Sequence, residues 1–546
     1  MARYELLAAA FVLFDLAAAV PTQAVKADVL ALITPAPTPT LAIYGAPARR
    51  DILDDLTSHL DSYVNSVFSE LGTKIPSYVS NGLLPGLQDL PTGSRVASSL
   101  GVNTTELAAT PTQVLNIPGY ANWTEQGWNL RIHGNVYKQP NISLDTINDL
   151  ANDFLIDTSV AELPQSQADQ ARNLTRAIYV VQQGDESVTM DILPGPSAGS
   201  DGEAGGGGGI TPAGGQQTVT LPYRTTPEGD FDTFVALQNT SGGLQPGNGT
   251  GAPPQRLNVY AQGTDTGNAT SYLVADEGLT VISDIDDILR VTKIYEPKEG
   301  LLNSFARPFT PWMNMPDIFR NWSTSMPHTH FHYLTTTPEQ VTRNYMQFIY
   351  DTYPGGSFDT RPLNFSDVSA TLKIRKFLLD KVFQTYPNRK FILIADTSNS
   401  DVMSAYPAMA TEYPGQVQCI FLRNTSATDS GDKFPYNTEG FKNLSQEMYM
   451  FFKVPDDLTN LDVANGHCYN ASITQNLTFG YQGLPFGINL GDGESGSNSS
   501  SSSSSSGSSS GSDSSSNGAT HALYPELWSR VGILIILATV LALDAF

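Results

Sequence analysis

Positive charge is scarce in this chain. Lys and Arg number 30 against 54 Asp and Glu over 546 residues, a net charge of −24. That balance excludes nucleic acid and anionic membrane surfaces as partners of the chain as a whole. Charge of either sign is thin, at 15% of residues, whereas Gly (46) and Pro (35) are plentiful, so much of the chain is loop or spacer. Only two cysteines are present, Cys419 and Cys468. They suffice for one disulfide in an oxidising compartment, or for two ordinary buried thiols in a reducing one. The apolar tail from Val531 to Phe546 has 16 residues, fewer than the ~20 that span a bilayer, and no basic anchor follows it.

The two ends of the chain carry processing signals. Residues 1–24 read as a signal peptide: Arg3, an apolar core from Leu6 to Val20 and the small-x-small site Thr22-Gln23-Ala24. A buried N-terminal helix is the alternative. Residues 25–50 are Pro- and Ala-rich, a possible propeptide ending at the dibasic pair Arg49-Arg50. At the other end, residues 491–518 form a Ser/Gly-rich stalk too polar to bury anything. Residues 519–546 add small residues, a polar spacer and the apolar tail, the pattern of a glycosylphosphatidylinositol attachment signal, with a tail-anchored helix as its rival. Asn-x-Ser/Thr acceptors occur at fourteen positions, from Asn103 to Asn498. Together these features predict the secretory pathway and a lipid-anchored protein at the cell surface.

Between the ends, three regions differ in pattern. Residues 51–115 carry apolar residues at three- and four-residue spacing (Ile52, Leu56, Leu60, Val64, Val67, Leu71), which predicts a short helical element. Residues 120–270 contain short runs such as Trp128–Gly134, Ala177–Val181, Thr218–Pro222 and Leu257–Ala261, separated by turn residues. Even spacing of short strands predicts a β-sandwich-like domain, a structural or binding module without clustered acids or histidines. Residues 271–425 alternate strands and helices, which predicts a parallel sheet. Strands are expected at Leu279–Ser283, Phe331–Leu334, Lys390–Ala395 and Gln416–Leu422, and helices at Pro338–Tyr350 and Ala370–Thr385. Residues 426–490 are read as a C-terminal extension.

The informative stretch is Leu279-Thr280-Val281-Ile282-Ser283-Asp284-Ile285-Asp286-Asp287-Ile288. A β-branched strand ends in three carboxylates, a costly arrangement unless a cation or proton compensates it. Phosphoryl transfer to an aspartate needs this kind of site: an ionised nucleophile, and a second carboxyl two residues on as general acid and base. Asp284 and Asp286 have that spacing. Thr335, after the strand Phe331-His332-Tyr333-Leu334, offers a hydroxyl to phosphate, and Lys373 or Lys376 offers a neutralising cation. Phe391-Ile392-Leu393-Ile394-Ala395-Asp396 repeats the strand-then-acid pattern, with Asp401 five residues later. Mg2+ favours such oxygen ligands, keeping waters and a substrate oxygen besides. One cluster competes: His328-Thr329-His330-Phe331-His332 sets imidazoles at alternate positions, as a strand-borne zinc site would.

In this order the parts resemble the haloacid dehalogenase superfamily. More closely, Val281–Asp287, Phe331–Pro338 and Phe391–Ser398 resemble the catalytic domain of phosphatidate phosphatases of the fungal actin-patch type. The resemblance implies an α/β, Rossmann-like catalytic domain preceded by a β domain, and a phosphatase working through an aspartyl-phosphate. It implies Asp284 as nucleophile and Mg2+ ligand, and Asp286 as general acid/base with its carbonyl on the metal. Thr335 and the lysine would hold phosphate, and Asp396 with Asp401 would complete the metal shell. The substrate would be a phosphorylated lipid or another phosphomonoester. Three departures stand out: Ile288 where the signature has Thr or Val, threonines for serines in the second motif, and Ala395 where Gly is usual. Ile288 and Ala395 favour the alternative of a catalytically impaired relative serving as a cell-surface or wall binding or structural protein.

Overall fold

The computed structural model describes residues 96–98, 100–195, 216–238, 244–248, 253–361, 374–429, 438–475, 477 and 479. The signal peptide, possible propeptide, Ser/Gly-rich stalk and apolar tail lie outside the described residues, as does most of the stretch 51–115. Among the described residues, no helix is long and apolar enough to cross a membrane.

A short helix, α1 (Thr104–Ala109), leads into β1 (Thr112–Ile117). Strands β2 (Tyr120–Thr124) and β3 (Gly127–Lys138) follow, then helices α2 (Leu144–Asp153) and α3 (Gln165–Ile178). Six more strands complete the region: β4 (Val181–Gln182), β5 (Thr189–Pro194), β6 (Gln217–Thr220), β7 (Asp230–Ala236), β8 (Gln255–Ala261) and β9 (Asn268–Leu273). These nine strands form one sheet, antiparallel throughout except for the pair β2 and β9. The last residues of the expected helical stretch 51–115 are thus strand, because Thr112–Ile117 pairs along β3 from Lys138 to His133. Ala177–Ile178, expected as strand, closes α3 instead. That helix buries only Ala168, Ala171 and Thr175, residues too small to write a helical apolar stripe into the sequence.

β3 organises the sheet, pairing with β1, β2, β4 and β7. Residues two apart on a strand share a face. Trp128, Leu130 and Ile132 enter the core of this domain. Arg131 and His133 lie on the opposite face and are buried as well, because a second domain covers it.

That domain is a six-stranded parallel sheet of β10 (Leu279–Ser283), β11 (His330–Pro338), β12 (Ser357–Arg361), β13 (Lys390–Asp396), β14 (Val417–Arg423) and β15 (Tyr449–Phe452). Their spatial order is β12-β11-β10-β13-β14-β15. Helices α4 (Pro297–Phe305), α5 (Met315–Ser325), α6 (Glu339–Thr352), α7 (Ile374–Thr385) and α8 (Ser400–Glu412) connect them. Val281, Ile392 and Ile394 pack on one face with residues of α5 and α6, including Phe319, Trp322 and Tyr345. Ile282, Leu393 and Phe391 pack on the other with Leu379 and Phe383 of α7 and Met403 and Tyr406 of α8. Burial on both faces is why these strands read as unbroken apolar runs. Pro338 ends β11 and α6 starts one residue later than the helix expected from Pro338.

β15 falls in the stretch read as a C-terminal extension, so the sheet reaches past residue 425. Cys419 of β14 and Cys468 form a disulfide with a Cα–Cα distance of 5.4 Å, which ties this segment to the sheet. Their separation of 49 residues is worth ~4 kcal/mol in the chain-entropy picture. Replacing both cysteines by serine therefore lowers the melting temperature of the full chain clearly in calorimetry, and an unchanged midpoint contradicts this role.

Candidate active site

The carboxyl ends of β10, β11 and β13 are neighbours, since β10 pairs with both of the others. In parallel α/β sheets this edge is where ligands bind. The sequence places an acid after β10, threonines at the end of β11 and an acid at the end of β13, so the three groups meet there.

Asp284 continues the ladder of β10, its N–H donating to Ile394 O at 2.9 Å. Its Oδ1 accepts from the Ile285 N–H at 2.8 Å, and Oδ2 lies 3.0 Å from Nη2 of Arg375 without the alignment of a hydrogen bond. The chain then turns through Asp287 at φ +53°, a left-handed conformation that aspartate tolerates better than most residues. The Asp287 carboxylate accepts backbone N–H groups of Thr292, Lys293 and Ile294 at 3.0, 2.7 and 3.0 Å. It fastens the loop, and Arg423 donates to its carbonyl. Asp286 Oδ1 accepts from Arg290 Nε at 2.8 Å and Thr292 Oγ1 at 2.7 Å, with Arg290 Nη2 at 2.6 Å. Thr337 Oγ1 reaches its Oδ2 at 3.4 Å, and Thr335 Oγ1 accepts the Thr337 N–H at 3.1 Å. Asp396 Oδ1 accepts from the N–H and hydroxyl of Ser398, while its buried Oδ2 has no partner.

Burial dominates the electrostatics. It pushes the Asp284 carboxyl up to about 6, with Arg375 opposing and Asp401 and Asp286 reinforcing. Asp396 is pushed well up by burial and then by the charges of Asp287 and Asp284. Asp287 and Asp401 are also raised by burial, against the opposing Arg423 and Arg375 respectively.

Residues 279–424 match the family model described as phosphatidate phosphatase APP1, catalytic domain. The parallel-sheet domain is thus similar to that family from β10 to the residue after β14. It is a phosphatase domain of the phosphatidate phosphatase kind. A search of the curated proteins found no match. Among solved structures, a 2,6-sialyltransferase of Photobacterium sp. JT-ISH-224 is 10% identical, covering 45% of this chain and 41% of that one at a TM-score of 0.17. The chain spans less than half of that enzyme, and a likeness this low carries no argument.

The residues proposed for the phosphatase site are not all brought together. Asp284, Asp286, Thr335 and Asp396 gather at the strand ends. Asp401 stands beyond Arg375, whose Nε meets its Oδ1 at 2.5 Å, so one guanidinium serves Asp284 and Asp401. Lys376 does not reach Asp284: it pairs with Asp380 at 2.8 Å and Glu412 at 2.9 Å. One residue apart on a helix is a turn of ~100°, which sends adjacent side chains to different faces. Lys373 lies outside the described residues. The cation beside Asp284 is Arg375, flanked in sequence by the two lysines, and a search for lysine alone passes over it. Ile288 is buried in the core with Leu289 and Phe305, so its signature position is a packing position. Ala395 lies within β13, paired with Leu422, and is not among the residues of positive φ, so glycine is not required there.

The histidines do not form a common site. Ser357 Oγ joins His330 Nε2 at 2.9 Å to His332 Nδ1 at 2.8 Å inside the protein, while His328 is exposed. Among the described residues no three His, Cys, Asp or Glu side chains are gathered to hold a metal. The donor set nevertheless suits a hard cation that keeps most of its waters: two buried carboxylates, with Oδ2 of Asp284 and of Asp396 accepting no hydrogen bond.

A carboxyl whose pKa is raised by folding binds its proton more tightly folded than unfolded. Its charge therefore costs metal-free stability, increasingly as pH rises from the ordinary carboxylate range through about 6. Asp284→Asn removes that cost. Metal-free Asp284→Asn is more stable than metal-free wild type at pH 8 by on the order of 1 kcal/mol and so melts higher, and the difference disappears near pH 4. A variant melting lower at pH 8 contradicts this.

Proposed function

We propose that this chain is a Mg2+-dependent lipid phosphate phosphatase, similar to phosphatidate phosphatase, that works through an aspartyl-phosphate on Asp284. The observation that carries the reading is the convergence of Asp284, the Thr335–Thr337 hydroxyls and Asp396 at the ends of three adjacent parallel strands. In it a carboxylate oxygen of Asp284 attacks phosphorus as the bond to the ester oxygen breaks. Asp286 delivers the proton that the leaving alkoxide takes up. Water then attacks the aspartyl-phosphate, giving its proton to Asp286, and inorganic phosphate departs as Asp284 is restored. Arg375 opposes the charge of Asp284, and Thr335 and Thr337 offer hydroxyls to the phosphate oxygens. Mg2+, held by Asp284, Asp396 and the Asp286 carbonyl, would supply Lewis-acid stabilisation of the phosphoryl oxygens. Arg290 and Thr292 set the orientation of Asp286 by holding its Oδ1.

The fold in this reading is haloacid dehalogenase-like, with a β-sandwich-like domain before it. A signal peptide at 1–24 and a lipid anchor signal at 519–546 would put the site at the cell surface. Its substrate would then be an outer-leaflet lipid phosphate, a lysolipid or a soluble phosphomonoester. A second reading, an inactive relative that binds at the surface or wall, draws on the same Asp286, whose Oδ1 is already taken by Arg290 and Thr292.

Phosphate release from a panel of lipid and soluble phosphomonoesters separates the two. We expect Mg2+-dependent release by the full chain, lost on chelation and reduced by at least ~10³-fold in Asp284→Asn. No release from any substrate, or equal release by the variant, selects the second reading.

A further inference from the structure

β12 is an edge strand of the parallel sheet, yet all five of its residues are buried. An edge presents unpaired backbone groups that need a cover, and here the nine-stranded domain provides it. The Phe358 N–H donates to Pro118 O, between β1 and β2, at 2.8 Å. Beside it, Arg131 of β3 directs Nη1 to Asp359 Oδ1 at 2.6 Å, and Nε and Nη2 to Asp232 of β7 at 2.8 and 3.0 Å. Arg131 and Asp359 are 2% and 0% exposed. Asp359 Oδ2 in turn lies 3.3 Å from His332 Nε2 on β11. Glycines at Gly119 and Gly356 leave room for the close backbone approaches along this seam, to Arg131 O and to Phe331 O.

The register of β12 matters to the site. Leu334 pairs with Asp359, and the next matched pair is Pro338 with Arg361. Three residues, Thr335, Thr336 and Thr337, therefore oppose Thr360 alone. Such a bulge re-aims side chains, and this one turns Thr337 toward Asp286. Ser357, Asp359 and Arg361 share one face of β12. A slip of one residue would remove Asp359 from Arg131 by turning it over, and a slip of two would set either Ser357 or a second arginine there. A buried ion pair is weak evidence for stability, and its best-attested use is to specify register.

We propose that Arg131, in the β domain, is a positioning residue for the threonine hydroxyls of the catalytic domain: by pairing with Asp359 of β12, it holds β12 where the β11 bulge begins. The phosphate-binding role of those threonines rests on the function proposed above, but the register claim does not. This makes the β domain a structural half of the site.

The test compares Arg131→Lys with Val259→Ala in the full chain. Lysine keeps the charge but loses the fork that grips Asp232 and Asp359 together. Val259 is a fully buried residue of β8 in the β-domain core, so its truncation weakens the domain without touching β12. The temperature is set for each variant at a fixed interval below its own melting point. Arg131→Lys should speed amide exchange at Thr335–Thr337 by about tenfold and lower kcat/KM on p-nitrophenyl phosphate by about tenfold through a raised KM. Val259→Ala should leave both within about twofold. If Arg131→Lys does not fold, Asp359→Asn carries the same two readouts. Exchange at Thr335–Thr337 unchanged in the Arg131 or Asp359 variant, or equally faster in Val259→Ala, overturns the proposal. If the wild type itself releases no phosphate, the exchange comparison alone decides it, and only the proposed function fails.

Discussion

The rest of the structure depends on keeping negative charge inside an apolar sheet. Asp284, Asp286, Asp287 and Asp396 are all buried at the carboxyl ends of two adjacent strands, where ionised carboxylates are costly unless matched. Each has a different match. Asp287 is satisfied by three backbone amides and Asp286 by Arg290 and Thr292, while Asp284 has Arg375 and one amide. Asp396 has Ser398 and the more distant charge of Arg423. The deficit is concentrated on Asp284 and Asp396, the two acids whose second oxygen accepts no hydrogen bond. A chemical site is the usual reason for leaving charge so poorly compensated.

A chain poor in cations places several of them inside. Arg131, Arg290, Arg375 and Arg389 are among its largest fully buried side chains. Arg290 lies against Tyr345 and Phe309, 4.2 and 5.2 Å from the ring centroids, and Arg423 is 4.1 Å from the ring of Trp312, so aromatic faces share in solvating the buried charge. Arg389 donates to the backbone carbonyls of Ala275 and Glu277 before β10, and to Leu279 O and Thr280 Oγ1 within it, which anchors the start of the strand that leads to Asp284. Arg131 does the equivalent across the domain boundary. The guanidinium suits each task because it is always charged and presents donors in a rigid fork.

Much of this was legible from local pattern. β10 spans the residues that its apolar run marks out and β13 adds only Asp396 to its run, because strands buried on both faces leave no polar interruption, whereas β11 covers the expected Phe331–Leu334 but runs on through the threonines to Pro338. What escaped depends on partners distant in sequence. Arg375 looks like any helix cation until α7 is docked and its neighbour Lys376 turns to Asp380 and Glu412 instead. α3 offered only small buried residues, and β15 only four, too few to separate from a loop. Arg131 and His133 did carry a signal: two polar residues alternating with core positions on one strand, buried because a second domain covers that face.

The most direct measurement is calorimetric titration of Mg2+ into the full chain at pH 7.5, beside Asp396→Asn. If the unmatched charge on Asp284 and Asp396 is what the site exists to present, the wild type binds one ion and Asp396→Asn binds it about tenfold or more weakly. No binding by the wild type, or equal binding by the variant, contradicts the account.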